Sequence, residues 1–352
     1  MKRLLMEVSI NLMLNFLKTT NLHTIFEPVY GGIGHILMFH RIIPQLKHNL
    51  RINKDIELTQ KEFKLCIEYY LKNNYTFVSL DELSNILFSK KINNEKLVVF
   101  TFDDGYSDIL KYACPLMEKY NIPFTLNITT GIPDRTIVLW WYLLEDLLLN
   151  QDEIYFKMLN KEYYYKCKTN LEKFITFRKL RGVILRSDEE DYLLKLQRIF
   201  EPFSIDLYKK TEELGMNWDQ IIAISKNPNV TIGAHSVNHL ALNKISQKAL
   251  EKEMMDSARR IEEKIGKKVE HFCYPFGRAE NGPREFEAAK ACGFKTATTT
   301  RIANVFLEHS DHLCCLPRIY KVGKISKAKY LDVLASGALS ALTYKFRRII
   351  TT

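Results

Sequence analysis

Apolar and polar positions along this chain fall into two rhythms. Short runs rich in β-branched and aromatic residues predict buried strands: Ile36-Leu37-Met38-Phe39, Val98-Val99-Phe100, Phe124 to Thr130 and Val230-Thr231-Ile232. Between them, residues 60–73, 81–90, 107–121 and 248–265 place apolar side chains at helical spacing, with Phe77-Val78 as a strand between the first two helices. Strand, helix and strand in alternation argue for a parallel α/β fold, which gathers its functional groups at the C-terminal ends of the strands. Further on, residues 285–292 predict a helix, 294–300 a strand, and Leu313 to Ile319 a last strand. Residues 134–228 break the rhythm and predict a mainly helical insertion. Both ends predict basic amphipathic helices, over 2–18 and 327–350. The expected division is an N-terminal helix in 1–30, a domain over 31–325 containing the insertion 134–228, and a C-terminal helix in 326–352.

With 352 residues and 46% hydrophobic content the chain can bury a substantial core, which excludes a disordered protein. A formal charge of +10 favours anionic partners such as lipid headgroups, phosphate-bearing glycolipids or acidic polysaccharide. Nucleic acid is not among them, because the positive charge is scattered in short clusters and no recognition motif accompanies it. The seven cysteines are odd in number, two of them are the neighbours Cys314-Cys315, and no CxxC pair occurs, so they read as reduced thiols. Lys2-Arg3 opens like a signal peptide, but Glu7 and Asn11 interrupt the apolar run and no small-residue cleavage site follows. No apolar run is long enough to span a bilayer. A cytoplasmic protein is expected, with peripheral contact at an anionic inner-membrane surface.

The chemistry is concentrated where Thr101-Phe102-Asp103-Asp104-Gly105-Tyr106 ends a buried strand in two adjacent carboxylates. Two acids at one buried site repel unless a cation compensates them, and a bound metal is the simplest such cation. Far downstream, His235-Ser236-Val237-Asn238-His239 follows another short strand and glycine, and two histidines four apart share one face of a helical turn. Asp104, His235 and His239 then form an Asp-His-His metal site with a position open to water, leaving Asp103 as a base. Zinc suits this ligand set, and ligand type alone does not exclude iron, cobalt or nickel.

These two motifs resemble the first two motifs of the polysaccharide deacetylase family, also called the NodB-homology or carbohydrate esterase 4 family. The resemblance implies a distorted (β/α)7-type barrel that removes N-acetyl groups from the N-acetylhexosamine units of a cell-envelope glycan or glycolipid. It assigns Asp103 as base and Asp104, His235 and His239 as metal ligands. The strand ending in His40 is similar to the one that opens the bacterial poly-N-acetylglucosamine deacetylases, which implies that His40 is the general acid; His309 and His312 are rivals. Cys273-Tyr274-Pro275-Phe276-Gly277 resembles the third motif, with Cys273 where an arginine would orient the base. Backbone N–H groups beside Tyr274 are then expected at the oxyanion. Leu316-Pro317-Arg318-Ile319 resembles the closing segment of the variant branch, so Arg318 is expected to replace the missing arginine. Tyr106 and Trp140, with Trp141 and Trp218, are candidates for covering the site and contacting sugar. A silent carbohydrate-binding protein, a hydrolase of another amide or of an O-acetyl ester, and a membrane scaffold remain as alternatives.

Overall fold

The computed structural model describes residues 2–46, 48, 50, 52–91, 95–158, 161–185, 192–276, 281–319 and 330–351. For residues 2–9 and 11 it describes the backbone alone, so the side chains of Lys2 and Arg3 lie outside it.

Eleven strands follow in chain order: β1 (Gly34–Phe39), β2 (Arg41–Ile43), β3 (Glu57–Thr59), β4 (Tyr75–Phe77), β5 (Lys96–Phe102), β6 (Phe124–Ile128), β7 (Glu153–Met158), β8 (Lys161–Lys166), β9 (Val230–Ala234), β10 (His271–Cys273) and β11 (Thr296–Thr298). Seven of them form one parallel sheet in the order β1-β5-β6-β9-β10-β11, with β4 on β5 beside its first residues and β6 beside its last. Residues of β1, β5, β6 and β10 are buried almost throughout, because helices cover one face and the curled sheet's own side chains fill the other. Bridges Thr298↔Leu316 and Leu37↔Ile319 carry the curl from β11 back to β1. Residues 313–319 are therefore not the regular last strand that the apolar pattern predicts. Leu313–Cys315 is a 3-10 turn, and two single bridges close the barrel.

Helix ends obey local chemistry. Thr59 and Ser79 close capping boxes with Glu62 and Glu82 to start the helices Gln60–Lys72 and Leu80–Ser89. The single helix expected over 107–121 is two, Asp108–Tyr112 and Cys114–Lys119, since Pro115 cannot donate to a continuous helix and takes an N-terminal position of the second. Segment 134–228 contains the expected helices Trp140–Asn150, Asn170–Leu185 and Tyr192–Phe200, and also an antiparallel hairpin, β7-β8. Leu144, Leu148, Ile154, Phe156, Leu180, Ile199 and Phe200 give this segment a buried core of its own.

Both chain ends pack on the barrel. The Lys2–Thr19 helix buries Leu14 and Leu17, and pairs Lys18 with Asp332 and Asn15 with Tyr330. In place of one basic amphipathic helix the C-terminal end has two short ones, Leu331–Ala335 and Ala338–Thr343, whose apolar residues are buried. Gly337 (φ 76°) turns between them so close to the chain that a Cβ would lie 2.1 Å from the Tyr30 carbonyl oxygen. Lys345, Arg347 and Arg348 follow outside the helix and are exposed. Among the described residues no helix is long and apolar enough to cross a membrane.

Candidate active site

β5 ends at Phe102, and the chain turns sharply through Asp103, Asp104 and Gly105. Asp104 has φ 75° and Gly105 φ 100°, so the turn is left-handed at two consecutive residues. That geometry sends the two carboxylates apart. Asp103 is 2% exposed and meets Arg318, which is fully buried, through two parallel bonds of 2.9 and 2.7 Å. Arg318 also donates to Thr101 Oγ1 at 3.0 Å, to the Thr299 carbonyl at 2.9 Å and to Cys273 Sγ at 3.0 Å. Asn127 Nδ2 donates to Asp103 Oδ1 at 2.8 Å. Burial alone would raise the Asp103 pKa; Arg318 and the nearby histidines outweigh it and hold the carboxyl well below its ordinary range.

Asp104 faces the other way. Its Oδ1 is buried without a hydrogen-bond donor, 3.4 Å from His235 Nε2 and 3.4 Å from His239 Nε2. Burial opposes its ionisation, yet the two neighbouring imidazoles, His235 first and then His239, bring its pKa down to about 2. His235 Nδ1 donates to the Cys273 carbonyl at 2.7 Å, which fixes the ring and aims Nε2 at Asp104. Burial lowers the His235 pKa, but Cys273 and Asp104 raise it well above its ordinary value. One carboxylate oxygen and two imidazole nitrogens converging on a buried point, with the oxygen lacking a donor, fit a divalent metal.

The two histidines do not share a helical turn as their spacing suggests. Residues 235–239 are irregular, with Ser236 at φ 63° and His239 at φ 53°, and Ser236 Oγ accepts the His239 N–H at 3.0 Å. His40 follows β1 directly and feels Asp104, Asp103, Arg318 and His235, so it belongs to the cluster. Burial, the largest influence, lowers its pKa, so it does not keep the near-neutral value expected of it. His309 is elsewhere: it is buried against Phe306, whose N–H donates to its Nδ1 at 2.9 Å. His312 stands at the end of the same turn.

Three aromatic candidates move. Tyr274 is core: its hydroxyl donates to the Cys314 carbonyl at 2.7 Å and its N–H to the Thr298 carbonyl at 3.1 Å, so that N–H is committed to the sheet. Phe276, two residues on, has φ 59°, packs its ring 4.9 Å from His239, and its N–H meets no acceptor among the described residues. Gly277 lies outside the described residues. Trp140 is buried in the core of the insertion, and its neighbour Trp141 packs 5.8 Å from the His239 ring. Tyr106 is fully buried beneath that tryptophan, its hydroxyl accepting Trp141 Nε1–H at 3.1 Å. Trp218 is remote, bonding Asp134 and lying under Arg260. Asn127 and Phe276 carried no spacing signal. Trp141 was within the Trp140-Trp141-Tyr142 run, where only the helix phase separates the two tryptophans.

Known proteins resemble this chain in sequence and in fold. The sequence model of the polysaccharide deacetylase family matches residues 90–160 and 203–297. The Bacillus subtilis (strain 168) protein named "Putative polysaccharide deacetylase YxkH" is 32% identical over 79 residues, which are 22% of this chain and 28% of that one. The match thus spans less than a third of the curated relative. Among solved structures, the Streptococcus pyogenes deacetylase PplD in complex with acetate aligns with a TM-score of 0.52 and 18% identity, over 81% of this chain and 90% of its own. IcaB from Ammonifex degensii aligns with a TM-score of 0.52 and 16% identity, over 86% and 98%. At such identities the structures show the fold. The curled parallel barrel and the matched family sequence together establish that this chain belongs to the polysaccharide deacetylase family.

Proposed function

We propose that the chain is a metal-dependent N-deacetylase that hydrolyses the acetamide of N-acetylhexosamine units in a cell-envelope glycan or lipid-linked precursor. The observation that carries this reading is the pairing of two differently treated carboxylates. Asp104 offers a donor-free oxygen to two imidazoles, while the adjacent Asp103 is clamped by a buried arginine. When bound at Asp104, His235 and His239, a divalent cation supplies Lewis acidity toward the acetamide carbonyl and an attacking water. Asp103, held ionised by Arg318, accepts the proton that water loses as it adds to the carbonyl carbon. The Phe276 N–H, which meets no acceptor among the described residues, is the backbone donor we assign to the developing oxyanion. His40 gives a proton to the nitrogen as the C–N bond breaks, so that acetate and a free hexosamine amine leave. Its lowered pKa makes the imidazolium a strong acid once formed. Trp141 stands in for Trp140 as the aromatic that contacts sugar, and segment 134–228 shapes the choice of glycan. Seven free thiols and a charge of +10 support a reducing compartment and an anionic surface, which sedimentation with anionic vesicles tests.

The test is acetate release from short N-acetylglucosamine oligomers and from O-acetylated sugars, with zinc-loaded native chain beside Asp103→Asn. Release from the N-acetyl substrate, falling about 10²- to 10⁴-fold in the variant, is expected for loss of a general base. Equal rates for the two proteins would refute the base assignment. Release from O-acetyl sugars alone would make the protein an esterase.

A further inference from the structure

Both imidazoles of the centre stand on an irregular turn, and irregular backbone keeps its shape only where surrounding groups over-determine it. Ser236 and His239 are both left-handed, and no helix or strand runs through residues 235–239. One side chain spans the turn from outside. Glu253, in the middle of the Gln247–Ile265 helix, is 6% exposed. Its Oε2 accepts the Val237 and Asn238 N–H groups, each at 2.9 Å, and its Oε1 accepts Asn238 Nδ2 at 2.6 Å. Three donors from two consecutive residues therefore converge on one carboxylate, an arrangement that favours the ionised form and fixes the donors' directions. The helix is itself held: Ser246 caps it by accepting the Ala249 N–H, Leu250, Met254 and Ile261 are buried, and Arg260 binds Asp134 at 2.7 Å.

We propose that Glu253 is a positioning residue for the metal centre, holding the 235–239 turn in the shape that brings both Nε2 atoms to Asp104. It touches neither metal nor substrate. The inference rests on the metal-dependent reading and deepens it, by placing part of the metal affinity in a helix that supplies no ligand. Glu253→Gln keeps the size of the side chain but removes the charge that strengthens all three bonds, and keeps the third only if the Asn238 amide turns over.

The experiment is a zinc titration of the metal-free full chain against a chromophoric chelator, with circular dichroism and thermal unfolding on the same samples. Loosening the turn that carries both histidines is expected to raise the zinc Kd in Glu253→Gln by about 10- to 100-fold, the range for outer groups that orient metal ligands. Glu285→Gln is the control for a merely structural role, since Glu285 is equally buried but accepts from Gly282 and Arg284, away from the turn. It is expected to bind zinc as the native chain does. A native Kd in Glu253→Gln, or equal weakening in Glu285→Gln, overturns the proposal. Should Glu253→Gln not fold, Asn238→Ala decides. It removes one charge-assisted bond at an exposed residue and is expected to weaken zinc about fivefold, and a native Kd overturns the proposal. A native chain that binds no divalent metal sinks the metal reading itself, before any variant is measured.

Discussion

Asp103 and Arg318 are a fully desolvated ion pair whose members were made for each other's geometry, and breaking it from one side leaves a bare buried charge. Arg318→Met is therefore expected to cost about 3–5 kcal/mol of stability, read as a lower urea midpoint. It also changes the pH profile. A carboxyl held below its ordinary pKa is ionised, and contributes its stability, at pH values above the unfolded pKa; that contribution fades as pH falls through the folded value. Removing the guanidinium lets burial dominate, so the acid limb of kcat/KM should move to higher pH. An unmoved limb would mean that Arg318 does not set the state of the base. The same carboxylate illustrates what the sequence discloses of a site. The structure brings together Asp103, Asp104, His235 and His239, which type and order single out in the sequence because metal and proton chemistry restrict the residues that can serve. The left-handed angles at Asp104, Ser236, His239 and Phe276 are not singled out, since any of these residues reads as ordinary loop until its neighbours are placed.

Within the Trp140–Asn150 helix, adjacent residues point about 100° apart, and this decides which tryptophan meets the site. The helix is apolar nearly all round, so its hydrophobic pattern carries no phase, and choosing Trp140 over Trp141 was a choice the pattern could not inform. Trp141→Ala is expected to raise KM for N-acetylglucosamine oligomers several-fold with little loss of fold. Trp140→Ala should instead lose about 3–5 kcal/mol in unfolding, as a large core side chain does. The reverse result would return Trp140 to the substrate. On the same helix Glu145 is buried, accepts Asn53 Nδ2 at 3.1 Å, and has its pKa pushed up to about 7 by burial and by Glu57. The folded chain then holds a proton that the unfolded chain has released between about pH 4.5 and 7, so stability falls as pH rises through that window. Glu145→Gln should be more stable than the native chain at pH 8, by up to about 3 kcal/mol, and no more stable at pH 4. Equal stabilities at pH 8 would show the carboxylate to be compensated. Helices with strong periodicity and caps, such as Gln60–Lys72 and Gln247–Ile265, were legible almost to the residue. The β7-β8 hairpin was hidden because long charged and aromatic side chains obscure its alternation, which the burial of Ile154, Phe156 and Met158 makes plain.

A parallel α/β fold was implied by alternation of strand and helix and a barrel by the family resemblance, while the form of the closure was not. Short-range pattern says that strands exist; it does not say that residues 316–319 will bridge β11 to β1 with almost no strand of their own. Because Asp104 comes from the end of β5 and the histidines from beyond β9, a bound metal ties together strand ends that are more than 120 residues apart in the chain. It should therefore stabilise the fold as any ligand of the native state does, by about 2.7 kcal/mol at a hundredfold excess over Kd. A rise in Tm with zinc, reversed by chelator and absent in Asp104→Ala, is the expected outcome; a Tm indifferent to zinc would argue against the centre. The route of the chain adds a consequence for its synthesis. Asp103 leaves the ribosome 215 residues before Arg318, which lies on the segment that closes the barrel. A nascent chain thus carries Asp103 without the guanidinium that aims it in the folded barrel. On the proposed mechanism, hydrolysis waits until Arg318 has been made and the ring of strands has shut, so copies that stop short of that segment stay inert.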